Sequence, residues 1–237
     1  MPIPFPVSSI RDFYAFEQHV KTCRGHRGLG MVPQWYDVPA FYFSNPVAIV
    51  GDGDPVWTPK GSEALDYELE LACVVGKAAR DLSPDDSALD CLAGFTIMND
   101  WSARDLQRAE MAIGLGPSKS KDFATSLGPR LVPLDELRDK YRDGRLHLEM
   151  TATVNGKVYS RGNAGTMYWT WPQILAHASR DTELRPGDVL GSGTVGTGCI
   201  LELTPEAVGG WLKPGDVVEL TVERIGTLRN SVVHRRH

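Results

Sequence analysis

Glu68 and Glu70 stand two residues apart in LDYELELACVV (65–75), where Tyr67, Leu69 and Leu71 alternate with Asp66, Glu68 and Glu70. Alternation at a period of two is the mark of a strand with two different faces, so Glu68 and Glu70 point the same way. The plainer reading of such a face is that it lies in water. The run that follows, LACVV, is apolar on both sides, which predicts that the strand enters a buried sheet. Two parallel carboxylates at a core boundary need counter-charge, and a hard divalent cation would supply it. Further along, ALDCLAGFTIMND reads as a short helix running into a second apolar strand, with Asp100 where the strand stops. WSARDLQRAEMA then reads as a helix capped by Asn99, Asp100 or Ser102, which would put Asp100, Arg104 and Gln107 on one face. An Asp at a helix start with an Arg four residues on is equally a common stabilising pair. Near the N-terminus Ser9 and Asp12 read as a capping box for a helix starting at about Ile10, with Asp12, Phe16 and His19 on one stripe. Taken alone, Asp12 is a cap and His19 an ordinary surface histidine. Lys119 and Lys121 sit in GLGPSKSKDFATSLGP, a loop punctuated by Gly and Pro. It is not a phosphate-binding P-loop, because Lys119 occupies the position five after Gly114 where that motif needs Gly.

The elements that must position these groups are mostly strands. Residues 25–39, rich in Gly and Pro, read as an irregular loop able to lie over a site. FYFSNPVAIVG reads as a strand interrupted at Asn45 and Pro46, and GDGDP as a turn. HLEMTATVNGKVYSRG places Asn155 and Gly156 between two alternating runs, the strongest hairpin signal in the chain. Residues 169–178 read as a short helix. RPGDVL at 185 and KPGDVV at 213 repeat a Pro-Gly turn that launches a strand. GSGTVG, from Gly191, spells a dinucleotide fingerprint, but CILEL after it alternates like a strand where a phosphate-binding helix should begin.

With 237 residues and 42% hydrophobic content the chain can bury a real core, and it reads as one catalytic domain over 1–237. Residues 1–45 would supply a helix and loop to the site, and 46–237 the β-rich core. A net charge of -5 gives no electrostatic reason to bind nucleic acid or an anionic membrane. Cys23, Cys73, Cys91 and Cys199 include no CxxC pair, and MPIPFPVSSIRD lacks an apolar signal core, which fits a reducing cytoplasm. No apolar run approaches the roughly 18 to 20 residues needed to cross a bilayer.

In order, DYELELACVVG, MNDWSARDLQ, GPSKSKDFATSLGP, GSGTVGTGCILEL and ERIGTLRNSV resemble the catalytic domain of the fumarylacetoacetate hydrolase family, over most of the chain. The resemblance implies an α+β, β-rich fold, a mixed β-sandwich roll with peripheral helices. It also implies a divalent metal on Glu68, Glu70 and Asp100. DFYAFEQH is similar to the segment of the true fumarylacetoacetases in which the Asp joins the metal site and the His is the general base, positions held here by Asp12 and His19. The same match implies Glu202 as partner of His19. It assigns Arg104, Gln107 and Lys121 to the polar groups around substrate and oxyanion, and Tyr14, Thr194 and Tyr42 to substrate contact. Two features read as departures from the family: the sequence shows no counterpart of the separate N-terminal domain of the animal enzymes, and their substrate-binding Arg has only Arg24 or Arg27 to match it. The implied activity is metal-dependent hydrolysis of a C–C bond in a small β-diketo acid, as in fumarylacetoacetate cleavage during tyrosine degradation, by a homodimer. All-oxygen ligation suits Mg2+, with Mn2+ or Ca2+ as alternatives. The rivals on the same scaffold are acylpyruvate or fumarylpyruvate hydrolysis, dienedioate isomerisation, oxaloacetate decarboxylation, or metal-dependent binding without catalysis.

Overall fold

Two sheets face each other across the main core in the computed structural model, which describes residues 3–235. The larger has seven strands in the order Phe41–Ser44, Ser9–Phe13, Asp188–Gly191, Leu69–Val75, Leu92–Asp100, Thr125–Leu127, Ile49–Val50. Ser9–Phe13 runs parallel to Asp188–Gly191, and Thr125–Leu127 parallel to Ile49–Val50; the other pairings are antiparallel. The smaller has five strands, Lys157–Asn163, Glu149–Val154, Val217–Val222, Gly226–Val233 and Pro55–Trp57. Helices are few and peripheral: α1 (Glu17–Gly25), α2 (Arg104–Ile113), α3 (Trp171–Ser179) and the single turns α4 (Ile200–Leu203) and α5 (Pro205–Val208). The molecule is therefore the β-rich α+β fold expected.

The hairpin forms as Asn155 and Gly156 require, both with φ in the left-handed region (52° and 78°), the conformation of a type I′ turn. Asp188 and Asp216, which follow the two Pro-Gly turns, each accept the backbone N–H three residues before them, at 2.9 Å. α3 begins with a complete capping box from Thr170 and Gln173.

Four local expectations fail. Ser9–Phe13 is a strand, not a helix: its backbone is hydrogen-bonded on both sides, to Phe41–Ser44 and to Asp188–Gly191, and that pairing outweighs a helix-forming composition. The helix carrying His19 starts at Glu17, so Asp12 and His19 share no helical stripe. α2 has Ala103 at its cap position with no side-chain bond, because Asp100 and Ser102 are still in strands. CILEL is not a strand either, since Ile200–Leu203 forms one helical turn. That turn is too short for a dinucleotide site, and the glycines before it serve close approach. At Gly193, φ is 80° and an added Cβ would lie 2.4 Å from the Phe13 carbonyl oxygen.

Alternation in the seven-stranded sheet gives its two faces different characters. Leu69, Leu71, Cys73 and Val75 face the main core, packed with Met150, Leu220 and Leu228 of the other sheet. On the opposite face Ile10, Ala72, Val74, Met98 and Val189 form a small second cluster. Two residues further along their strands, at one end of that face, come Asp12, Glu70 and Asp100.

Candidate active site

The four carboxylates Asp12, Glu68, Glu70 and Asp100 are all at least 95% buried. Oxygens of Asp12, Glu68 and Glu70 lie within 4.8 Å of one another. Asp100 joins them through shared donors: the Tyr42 hydroxyl bonds both Asp12 (3.2 Å) and Asp100, and the Lys121 ammonium bonds both Glu68 (2.6 Å) and Asp100. Gly191 makes the crowding possible, because a Cβ there would lie 2.6 Å from Asp12 Oδ1 and 2.9 Å from Glu70 Oε2. Gly193 N–H donates to Glu70 at 3.2 Å, so the glycine-rich loop faces a carboxylate, and the Thr194 hydroxyl reaches the same group at 3.4 Å.

Charge is unevenly compensated. Against the burial that would raise its carboxyl, Glu68 is held far below the usual carboxylate range by Lys121 and Arg104. Asp12 and Glu70 go the other way, pushed well up by burial and by neighbouring carboxylates. Oδ1 of Asp12 and Oδ1 of Asp100 are buried without a hydrogen-bond partner. Orphaned anionic oxygens beside crowded carboxylates are what a hard divalent cation satisfies, so these residues fit such a group.

A second arrangement lies across Glu68. His19, on α1 and 4% exposed, is bonded through Nδ1 to Glu202 Oε2 at 2.8 Å. Burial alone would lower the His19 imidazole, but its contacts with Cys199 and Glu202 prevail and take it up to about 10. The partly exposed Tyr14 ring meets the imidazole edge-on at 5.7 Å. Arg104 is buried and fully engaged, with Nε on Asp66 (2.8 Å), Nη2 on Glu68 (2.8 Å) and Nη1 on Gln107 (3.0 Å). Of the two arginines considered for a substrate carboxylate, Arg24 bonds the Gly30 carbonyl at 2.5 Å and Arg27 is exposed.

Two residues given no role from sequence belong to the framework. Asp66, fully buried, accepts the N–H groups of Ile200 (2.8 Å) and Leu201 (3.0 Å) as well as Arg104 Nε, and so fixes the α4 turn that carries Glu202. Its signal was in plain view: it shares the alternating face of Glu68 and Glu70. Glu110, on α2, accepts from the backbone and hydroxyl of both Ser118 and Ser120, and so fastens the loop that delivers Lys121. Cys23 and Cys199 also border His19.

Residues 8–233 match the family model described as the fumarylacetoacetate (FAA) hydrolase C-terminal domain. A fumarylacetoacetase from Arabidopsis thaliana is 32% identical over 86% of this chain, and an oxaloacetate tautomerase from Bacillus subtilis is 34% identical over 82%. The chain spans only 60% and 61% of those proteins' own lengths. Among solved structures, a 5-carboxymethyl-2-hydroxymuconate delta-isomerase from Mycobacterium smegmatis superposes with a TM-score of 0.75 at 28% identity, covering 99% of this chain and 82% of that one. No helix among the described residues is long and apolar enough to cross a membrane. Relatives of one scaffold thus carry hydrolase, tautomerase and isomerase names, and by a match that runs almost from end to end this chain belongs to the fumarylacetoacetate hydrolase family.

Proposed function

We propose that the protein is a metal-dependent hydrolase that cleaves a C–C bond in a 1,3-dicarbonyl, with fumarylacetoacetate, giving fumarate and acetoacetate, as the first substrate to test. One observation carries the reading: the buried His19–Glu202 pair lies near enough to the carboxylate cluster for the charge of His19 to act on Glu68. Asp12, Glu68, Glu70 and Asp100 would hold Mg2+, with Mn2+ or Ca2+ as alternatives. The bound ion would supply the positive charge that favours the enolate of the substrate and brings the His19 imidazole down towards the range of a base. With Nδ1 tied to Glu202, Nε2 of His19 is the nitrogen available to take a proton from water. The hydroxide oxygen then bonds to the carbonyl carbon. The C–C bond breaks with its electron pair staying on the leaving enolate, which takes a proton to give the ketone. Lys121 and Arg104, paired here with Glu68 and Asp100, would supply positive charge to the substrate oxygens where negative charge grows. Tyr14, Tyr42 and Thr194 would contact the substrate, with 1–45 and 46–237 acting together as one catalytic unit. The active form is a homodimer in the cytoplasm, acting in aromatic amino acid breakdown.

A second reading, tautomerisation or decarboxylation of a keto acid such as oxaloacetate, draws support from the tautomerase and isomerase names among the relatives. The test is to offer fumarylacetoacetate, an acylpyruvate and oxaloacetate to the wild type and to His19→Ala, following each product. Hydrolysis is expected in the wild type and lost in His19→Ala with the metal still bound, and the wild-type rate should fall as pH drops through the histidine's titration. Should oxaloacetate alone be turned over, with or without His19, the hydrolase reading is wrong.

A further inference from the structure

His19 has neighbours that general-base chemistry does not require. Cys23 follows it by four residues on α1, on the same helix face, and its Sγ lies 3.8 Å from both ring nitrogens. Cys199, the residue before α4, is fully buried, with its Sγ 3.8 Å from Glu202 Oε2. One ligand atom from each of His19, Cys23 and Cys199 falls within a single 4.8 Å set. Around a tetrahedral ion with metal–sulfur bonds of about 2.3 Å and metal–nitrogen bonds of about 2.0 Å, sulfur and nitrogen stand about 3.5 Å apart and two sulfurs about 3.8 Å. The observed Cys23–His19 separation already has that size.

The surroundings are also those of a metal-binding histidine. Nδ1 donates to a carboxylate and leaves Nε2 as the ligand nitrogen, the arrangement in which a carboxylate orients a zinc-bound imidazole. Burial, with Cys23 and Asp66 beside it, holds the Cys199 thiol well up against the opposing charge of Arg104, so its proton stays until an incoming ion displaces it. Two sulfurs and one nitrogen select soft or borderline cations, whereas the all-oxygen cluster of Asp12, Glu68, Glu70 and Asp100 selects hard ones.

We propose that His19, Cys23 and Cys199 form a second cation site, specific for a soft divalent ion of the Zn2+ or Cd2+ class, whose occupancy withdraws His19 from proton transfer. Two thiol protons, and any proton on Nε2, leave to solvent as the ion binds; Glu202 keeps the Nδ1 proton. Cys23, half-buried, is the side of the site that reaches solvent. The binding claim stands apart from the proposed function, and only the inhibition rests on it.

The test uses the full chain with Mg2+ in excess, so that the oxygen site competes poorly for the probe, and titrates Cd2+ while following thiolate-to-cadmium absorption in the ultraviolet. One equivalent should bring up the band, with protons released. Cys23→Ser and Cys199→Ser should each lose it or shrink it, Glu202→Gln should weaken binding about 10- to 100-fold, and Cys91→Ser should leave it unchanged. If Cys199→Ser does not fold, Cys23→Ser at its half-buried position decides. A band absent at one equivalent, or undiminished in Cys23→Ser, overturns the site. A full band with turnover of the preferred substrate unaffected overturns the inhibition, and a band in a protein that hydrolyses nothing leaves the site standing while the hydrolase reading falls.

Discussion

Replacing Asp66 by Asn removes one charge and almost no volume, and the structure sets the cost. Asp66 Oδ1 accepts Ile200 N–H at 2.8 Å, while Oδ2 accepts Leu201 N–H at 3.0 Å and Arg104 Nε at 2.8 Å. An amide has one acceptor oxygen, so it can serve only one side. The better orientation keeps the oxygen on Leu201 and Arg104 and turns the NH2 towards Ile200 N–H, leaving a buried donor unsatisfied at about 1–3 kcal/mol. The bond to Arg104 also falls from charge-assisted to half-neutral, costing about another 1 kcal/mol. The total, about 3 kcal/mol, lies at the low end of what breaking a buried ion pair costs. For a chain of this size that is a fall of about 6–12 °C in melting temperature, measurable by calorimetry or circular dichroism. Turnover should fall further than stability explains, because the α4 turn that carries Glu202 loses its anchor. A shift below about 2 °C with normal turnover would refute the claim that Asp66 holds that turn.

Glu110 should make its contribution pH-dependent. Burial would raise the Glu110 carboxyl, but the donors of Ser118 and Ser120 together prevail and hold it down at about 2. A depressed carboxyl stabilises the fold above its ordinary pKa of about 4.3 and ceases to as pH falls towards 2. The melting-temperature gap between wild type and Glu110→Gln should therefore be constant above about pH 5 and narrow below pH 4; a gap that widens in acid would contradict it. Gly191→Ala should cost Mg2+ affinity, measured by calorimetric titration, because the new Cβ needs space now taken by Asp12 Oδ1, Glu70 Oε2 and the Met98 methyl at 2.3 Å. Unchanged affinity would mean that the ion does not bind between those two carboxylates.

Features set by local chemistry were readable from sequence. The Asn155–Gly156 hairpin needs only two residues that tolerate positive φ, and Glu68 and Glu70 do bring their oxygens together as a period of two requires, although Glu68 lies one residue before the strand Leu69–Val75. Features set by distant partners were not. Nothing in IRDFYAFEQH announces the strand partners at Phe41–Ser44 and Asp188–Gly191, so a helix-forming composition led the wrong way at Asp12. CILEL alternates like a strand, yet the amides of Ile200 and Leu201 within it are capped by Asp66 from 134 and 135 residues away. The Cys199 thiol is likewise brought to His19 by tertiary folding alone. The expected roles of Arg104 and Gln107 came from family likeness, and the geometry adds that Arg104 is held on three sides by Asp66, Glu68 and Gln107.

The parallel pairing of Ser9–Phe13 with Asp188–Gly191 has a consequence for how the molecule is made. Ser9 meets Asp188 across 179 residues, and closing a loop of that length costs about 4 to 5 kcal/mol in chain entropy before any contact rewards it. On a ribosome adding about 5–20 residues each second, the strand bearing Asp12 waits roughly 10 to 35 s for its partner to be synthesised. During that interval its outer edge is an open row of backbone donors and acceptors, the form of strand that recruits other chains. Refolding from denaturant should be slow for the same reason, with the acidic end of the sheet among the last parts to become competent for metal. A fragment ending before Asp188 would keep most of the acidic residues but lack the strand that draws Asp12 towards Glu70.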